Sequence, residues 1–171
     1  MKVRQLPIIG STALVTVAGI ENVPAKVDTG ADSSSIWASN IVINSENQLE
    51  FCLFGPESHL YTGEKITVDD YSVQRVRSST GEVTIRYRVP LSVQINGRSM
   101  KAKFTLYDRS KNNFPILIGR KTLKNRFLVD VAQRKVKSPP KMDNSDIEAE
   151  LAENPQKFHT KLYNLYQNKD R

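Results

Sequence analysis

The sequence predicts an all-β domain, and two patterns carry that prediction. Apolar residues occupy every second position from 83 to 95, Asn96-Gly97 follows, and apolar residues alternate again through Met100, Phe104 and Leu106. Asn-Gly between two alternating runs is the strongest short-range signal for a β-hairpin. A short continuous apolar run at 114–119 is typical of a fully buried strand.

The other strands are weaker predictions. Residues 12–18 and 23–28 read as two strands joined by a turn at 19–22, and 49–54 reads as another strand. Residues 71–77 should pair with the long strand from 83, with a small polar tip at 78–82 between them. Pro90 indicates a bulge or an edge in that long strand. Helical composition predicts a short helix at 120–126, and 127–131 returns to strand.

The chain changes character after residue 134. A basic, proline-containing linker at 135–142 precedes a predicted helical extension at 143–171. Ser145 and Glu148 fit a capping box, and Asn154-Pro155 fits the start of a second helix. We therefore divide the chain into a domain at 1–134, the linker and the extension.

Bulk composition narrows the functional classes. The chain has 171 residues, 39% hydrophobic and 25% charged, which suits one soluble domain without a membrane span. Its net charge of +7 favours a solvated basic face over a nucleic-acid surface, because aromatic residues do not accompany the arginines. Cys52 is the only cysteine, so no intramolecular disulfide forms and a reducing, cytoplasmic setting is expected. With His59 and His159 far apart, we expect no metal site.

The triplet Asp28-Thr29-Gly30 ends an apolar strand and is the main chemical signal in the chain. Two carboxyl groups that share one proton can activate water and polarise a carbonyl together, which suffices for peptide hydrolysis. The chain holds a single such triplet, so this chemistry requires a homodimer with Asp28 from each protomer. Thr29 could bond across the two-fold axis, Gly30 permits a tight turn, and the serines at 33–35 could donate to the carboxylate. The alternative is an ordinary surface turn, where Asp and Gly are also common.

Further segments strengthen the first interpretation. The run Ile116-Leu117-Ile118-Gly119 leads into the short helix, as in the retropepsin-like aspartic protease fold, which the chain resembles. The resemblance implies a closed acid-protease barrel in which the two segments thread into each other. The segments Ile8-Ile9-Gly10, Arg86-Tyr87 and 127–130 make the chain similar to the RimK/LysX-associated branch of that fold, a family often labelled "ATP-dependent zinc protease".

The resemblance implies a set of site residues and partners. Asp28, Thr29 and Gly30 would be catalytic, and a flap at 78–82 would close over a peptide substrate. Substrate-binding positions would be Ala31, Arg77, Ser78, Ser79, Thr80, Gly81, Arg86, Ile118 and Gly119. Arg109 and Arg120 join Arg77 and Arg86 as candidates for holding an acidic or glutamylated tail; the alternative is that most of these arginines are solvated or bridge the dimer. Despite the family label, no cofactor is expected. A functional association with an ATP-grasp ligase is expected.

Trp37 stands where relatives often carry a histidine, and a packing role is an equal expectation for it. Two other functions stay open on the sequence. A domain of this fold could bind peptides without cleaving them, or a basic β-barrel could bind nucleic acid.

Overall fold

The structure is a computed structural model that describes residues 5–77, 81–137 and 145–167. It divides into two compact units, 1–137 and 138–171. The strands of the first unit are β1 (Ile8–Val17), β2 (Ile20–Val27), β3 (Ser34–Ile43), β4 (Leu49–Leu53), β5 (Lys65–Val68), β6 (Ser72–Arg77), β7 (Val83–Ile95), β8 (Arg98–Tyr107), β9 (Ile116–Ile118) and β10 (Leu128–Arg134). Its helix is α1 (Arg120–Leu123), and the second unit holds α2 (Ser145–Glu153) and α3 (Pro155–Gln167).

The strands form one sheet whose order is β10-β1-β2-β9-β3-β8-β7-β6, and β1 also pairs with β7. That additional pairing closes a ring of strands from β1 through β9 and β3 back to β7. Strands β4 and β5 extend from β3. The predicted all-β class of the domain is therefore confirmed.

The β7–β8 hairpin confirms the strongest prediction from the sequence. Its register runs without a shift from Arg88 opposite Thr105 to Ile95 opposite Arg98. Asn96 and Gly97 both have positive φ, 47° and 76°, as a two-residue hairpin turn requires. One face of the hairpin is buried in the core, through Val89, Leu91, Val93, Ile95, Ala102, Phe104 and Leu106.

Pro90 lies at a local edge and not at a bulge. On the edge of β7 that faces away from β8, β7 pairs with β6 over 83–88 and with β1 over 93–95, so neither strand pairs with Pro90 there. The Ser92 carbonyl accepts a hydrogen bond from Ala18 on that edge, and residues two apart point the same way. The missing N–H of Pro90 therefore faces the unpaired part of that edge and costs the ladder no hydrogen bond.

Some bounds differ from the prediction. The turn between β1 and β2 is only Ala18-Gly19, both with positive φ, so Ile20 already belongs to β2. Strands β3 and β5 were not predicted. In β3, Ser34 to Ala38 are all buried, because the strand has core on one side and α1 or neighbouring backbone on the other. Such a segment shows no alternation to detect.

Trp37 packs in the core, as one of the two expectations had it. Its side chain is 8% exposed and meets Phe54 edge to face with ring centroids 6.4 Å apart. Cys52 is buried as well.

The second unit is helical, as predicted. The Asn154 side chain accepts a hydrogen bond from the Lys157 N–H at 3.0 Å, which caps the start of α3 before Pro155. Lys161 and Glu150 join α3 to α2 through an ion pair of 2.8 Å. Among the described residues, no helix is both long and apolar enough to cross a membrane.

Candidate active site

Asp28 follows the last residue of β2 at a crossing of three strands. Strand β9 lies between β2, to which it is parallel, and β3, to which it is antiparallel. The Asp28 N–H continues this ladder by donating to the Ile118 carbonyl at 2.9 Å. The segment 28–33, which we call the Asp28 loop, must therefore cross the end of β9 to connect β2 with β3.

Helix α1 fixes the far end of the Asp28 loop. The N–H groups of Arg120 and Lys121 donate to the carbonyls of Ala31 and Asp32, at 2.8 and 3.1 Å. A Cβ on Gly119 would lie 2.5 Å from the Ser33 carbonyl oxygen and 3.0 Å from that of Ala31. Gly119 is thus required because two backbone segments touch there. This crossing is the threaded arrangement that the resemblance implied.

The Asp28 carboxylate is held by its own loop. Its Oδ1 accepts hydrogen bonds from the N–H groups of Gly30, at 3.0 Å, and Ala31, at 3.1 Å. Its Oδ2 accepts none within the described part of the chain. Gly30 does not have a positive φ; a Cβ there would come within 3.3 Å of Oδ1, so close approach to the carboxylate accounts for the glycine. The result is a half-buried carboxylate with one oxygen fixed and one available.

The serines after the Asp28 loop do not act as expected. Ser34 Oγ accepts the Gly119 N–H at 3.0 Å and lies 2.7 Å from the Thr122 hydroxyl, with both side chains buried. Ser35 donates to the Thr105 carbonyl. The expectation that these side chains donate to the Asp28 carboxylate is wrong, since their hydroxyls support the strand crossing instead.

Gln74 attaches the β6–β7 hairpin to the Asp28 loop. Its amide donates to Ser33 Oγ at 2.9 Å, and Ser33 also lies 3.2 Å from Gln74 Oε1. This contact was not predicted from the sequence. The hairpin register, which pairs Gln74 with Arg86, could have placed Gln74 on the face that carries Arg86.

The predicted flap residues are only partly described. Ser78, Ser79 and Thr80 lie outside the described residues. Gly81 is exposed with a φ of 87°. By strand alternation, Arg77 lies on the hairpin face opposite to Gln74 and is not brought to the Asp28 loop.

Two of the predicted arginines, Arg86 and Arg109, lie at the end of β8. The Arg86 guanidinium lies over the Tyr107 ring, 3.5 Å from its centroid, and its Nε donates to Thr84 at 2.9 Å. Arg109 is 8% exposed, and its Nε donates to the Phe114 carbonyl at 3.1 Å. Burial lowers the pKa of the Arg109 guanidinium, the Arg86 charge lowers it further, and Tyr107 and Asp28 oppose this shift.

Other predicted residues have structural contacts. Ile118 is fully buried, Gly119 is buried at the crossing, and Ala31 bonds both Asp28 and α1 through its backbone. Thr29 is exposed, and its hydroxyl makes no hydrogen bond within the described residues. Arg120 pairs with Asp32 at 3.1 Å.

A basic cleft adjoins the Asp28 loop at Ser33. A cavity of about 230 Å³ is lined by Ser33, Arg88, Lys101, Ala102, Lys103, Lys121, Thr122 and Arg126. A second cavity of about 370 Å³ shares Arg126 and adds Arg98 and Lys124. No carboxylate lines either cavity among the described residues. In the same part of the chain, no cluster of His, Cys, Asp and Glu could hold a metal ion.

Several known proteins are similar to this chain in sequence or in fold. Residues 8–140 match the RimB-like family, described as retropepsin-like aspartic endopeptidase RimB. A probable alpha-L-glutamate ligase of Shewanella halifaxensis is 30% identical over 120 residues, which are 67% of this chain and 26% of the relative. A namesake in Shewanella pealeana is 31% identical over the same shares. This chain thus spans about a quarter of the length of these curated relatives.

A solved structure shares the fold. A Legionella pneumophila protein of unknown function superposes with a TM-score of 0.57 and 23% identity, over 75% of this chain and 96% of that one. The match over residues 8–140 shows that the chain belongs to the RimB-like family of retropepsin-like aspartic endopeptidases.

Proposed function

We propose that this protein is an aspartic peptidase that works as a homodimer. The observation that carries the proposal is the Asp28 carboxylate, which the Asp28 loop holds by Oδ1 and leaves available at Oδ2. In an assembled site, Asp28 of each protomer would lie across a two-fold axis, and the ring of strands would be the closed barrel of an acid protease. The exposed hydroxyl of Thr29 is available to bond across that axis.

The reaction follows from two carboxyl groups that share one proton. The ionised carboxylate takes a proton from water, and the resulting hydroxide attacks the scissile carbonyl carbon while the protonated carboxyl donates to the carbonyl oxygen. Proton transfer to the leaving nitrogen then breaks the C–N bond. The two apparent pKa values of such a dyad belong to the pair and not to either aspartate.

Charge supports acidic or glutamylated tails as substrates. Asp28 acts electrostatically on Arg109, and Arg86 pairs across the hairpin with Gln74, which contacts Ser33 of the Asp28 loop. The basic cleft starts at the same Ser33. The relatives named glutamate ligases carry a similar segment within a longer chain, which supports an association of this peptidase with an ATP-grasp ligase that adds glutamate. The lone buried Cys52 suits a cytoplasmic setting.

The test compares cleavage of a diverse peptide pool, with polyglutamate tails included, by the wild type and by Asp28→Asn. Both are assayed at high protein concentration from pH ~4 to ~8, where a shared-proton dyad can operate. Asp70→Asn is the matched control, because Asp70 is exposed in a turn outside the Asp28 loop. We expect products from the wild type and the control and none from Asp28→Asn. Peptide binding without products from any of the three would instead establish a binding module.

A further inference from the structure

Arg109 is a buried cation that lacks a full set of partners. It is 8% exposed, yet the described residues offer it one hydrogen bond, from Nε to the Phe114 carbonyl, and no salt bridge. Arginine is rarely buried to this extent unless it is paired, because its charge loses hydration. No buried side-chain nitrogen of the described residues lacks a hydrogen-bond partner, so the terminal amino groups of Arg109, which make no hydrogen bond there, reach the surface and can donate to an acceptor from outside.

Arg86 brings a second guanidinium to the same place from the β6–β7 hairpin. The ring under the Arg86 guanidinium belongs to Tyr107, two residues before Arg109, and the Arg86 charge lowers the pKa of Arg109. Burial also lowers the pKa of Arg86, and Tyr107 and Glu82 oppose that shift. The Arg86 guanidinium is stacked on the Tyr107 ring, which holds it in place. Arg86 makes no salt bridge within the described residues. Two like charges held together in this way favour an anion between or beside them.

Asp28 does not fill that role. Its carboxylate interacts with Arg109 electrostatically, but the pair is not a salt bridge, and Oδ1 already accepts two backbone hydrogen bonds. Glu82 acts electrostatically on Arg86 but makes no salt bridge with it either, so both arginines can take an anion from outside the described residues. A planar carboxylate matches the fork of donors that a guanidinium presents.

We propose that Arg109 and Arg86 form a subsite for a carboxylate of the substrate residue next to the scissile bond. The inference rests on the proposed peptidase function and adds the residues that select the substrate at the reaction centre. The carboxylate could belong to a glutamate or aspartate side chain or to the end of the peptide chain. Both sources share the chemistry, and the experiment separates them.

The experiment uses four peptides of one sequence, with Glu or Gln beside the scissile bond and a free or amidated C-terminus. Cleavage is measured as kcat/KM for the wild type, Arg109→Gln, Arg109→Lys and Arg86→Gln. Arg75→Gln is the matched control, because Arg75 lies on the same hairpin with its side chain on the opposite, exposed face. Circular dichroism of each variant checks the fold, and Arg86→Gln carries the test if Arg109→Gln does not fold.

For the wild type we expect about a 10- to 100-fold preference for one carboxylate-bearing peptide, as for a hydrogen-bonded charge. A Glu-over-Gln preference assigns the side chain, and an acid-over-amide preference assigns the chain end. The preference should fall to within about threefold in Arg109→Gln and Arg86→Gln, and Arg109→Lys should recover only part of it, because an ammonium lacks the fork. Arg75→Gln should keep the full preference.

Failure of the subsite and failure of the peptidase are distinguishable. Equal cleavage of all four peptides by the wild type, or an unchanged preference in both glutamine variants, overturns the subsite and leaves the peptidase standing. If no peptide is cleaved, fluorescence anisotropy of the four labelled peptides on Asp28→Asn, with and without Arg109→Gln, still decides. A carboxylate preference in binding that Arg109→Gln removes supports the subsite, and equal binding refutes it.

Discussion

Removal of the Ser34 hydroxyl should destabilise the strand crossing that carries Asp28. Ser34 Oγ accepts the N–H of buried Gly119 and contacts the Thr122 hydroxyl, and the Ser34 and Thr122 side chains are 1% and 3% exposed. Ser34→Ala leaves the Gly119 N–H without an acceptor in a place that water does not reach. A buried donor without a partner costs about 1–3 kcal/mol, and the Thr122 hydroxyl loses its contact as well.

A double-mutant cycle separates these contributions. Ser34→Ala should lower the free energy of unfolding by about 3 kcal/mol, and Thr122→Val should lower it by about 1 kcal/mol, because Ser34 still accepts from Gly119 in that variant. The double variant should lower the free energy of unfolding little more than Ser34→Ala alone does, because it no longer contains a buried Thr122 hydroxyl without its Ser34 partner. The interaction free energy between the two sites should therefore be about 1 kcal/mol.

Urea unfolding measures these values through Trp37, the only tryptophan of the chain and a buried residue of β3. Ser11→Ala is the control, because it removes a more exposed hydrogen bond to the Gln133 carbonyl and should change stability by about 0.5 kcal/mol or less. Strict additivity of Ser34→Ala and Thr122→Val would refute the buried network. A cost of Ser34→Ala no larger than that of the control would do the same.

Three further predictions test the frame around the site. Gly10→Ala should lower the free energy of unfolding by about 1–3 kcal/mol, because the added Cβ would lie 2.8 Å from the carbonyl carbon of Gln133. Thermal unfolding measures this change, and an unchanged stability would contradict the close contact between β1 and β10. Phe51→Ala should cost about 3–5 kcal/mol in urea unfolding, because the ring is fully buried. Lys121 and then Arg120 hold the pKa of Asp32 below its ordinary value of 3.8, so this carboxylate stabilises the fold above that pH and ceases to do so as the pH falls through its folded pKa. Asp32→Asn should therefore lower Tm at neutral pH, and the difference from wild type should shrink in acid; a constant difference across pH would be evidence against it.

The sequence predicted the elements whose side chains alternate and missed those that lack a solvent face. The β7–β8 hairpin shows both its period and its turn residues in the sequence. Strand β3 begins with two serines and then buries both faces, so its polar residues resemble a loop until their partners, Thr122 and the Thr105 carbonyl, are known. Those partners are more than sixty residues away in sequence, and no local pattern contains them.

The same distinction applies to the candidate site. Asp28 is found from its triplet and from the apolar strand before it, which are both local. The contact between Gln74 and Ser33 depends on hairpin register, and the burial of Arg109 depends on how the chain folds after β8. Charge alone did not show which of the four candidate arginines lie together, because each has a different environment. Arg77 lies on the opposite hairpin face, Arg120 pairs with Asp32, Arg86 lies over Tyr107 and Arg109 is buried.

In the proposed dimer, an aspartate dyad and an acidic substrate would repel each other, and this conflict would explain why the site needs cations. A dyad that shares one proton carries one negative charge, and a second carboxylate about 6 Å away at an effective dielectric constant of about 20 is repelled by about 3 kcal/mol. Uncompensated, that repulsion would weaken binding by about a hundredfold. Asp28 acts electrostatically on Arg109, Arg86 contacts Tyr107 two residues before it, and neither arginine is neutralised by a salt bridge within the described residues, so the two charges would offset this repulsion. A neutral peptide would meet no such repulsion and would gain less from the two arginines, so under the proposal the same charges that admit an acidic substrate would also select for it.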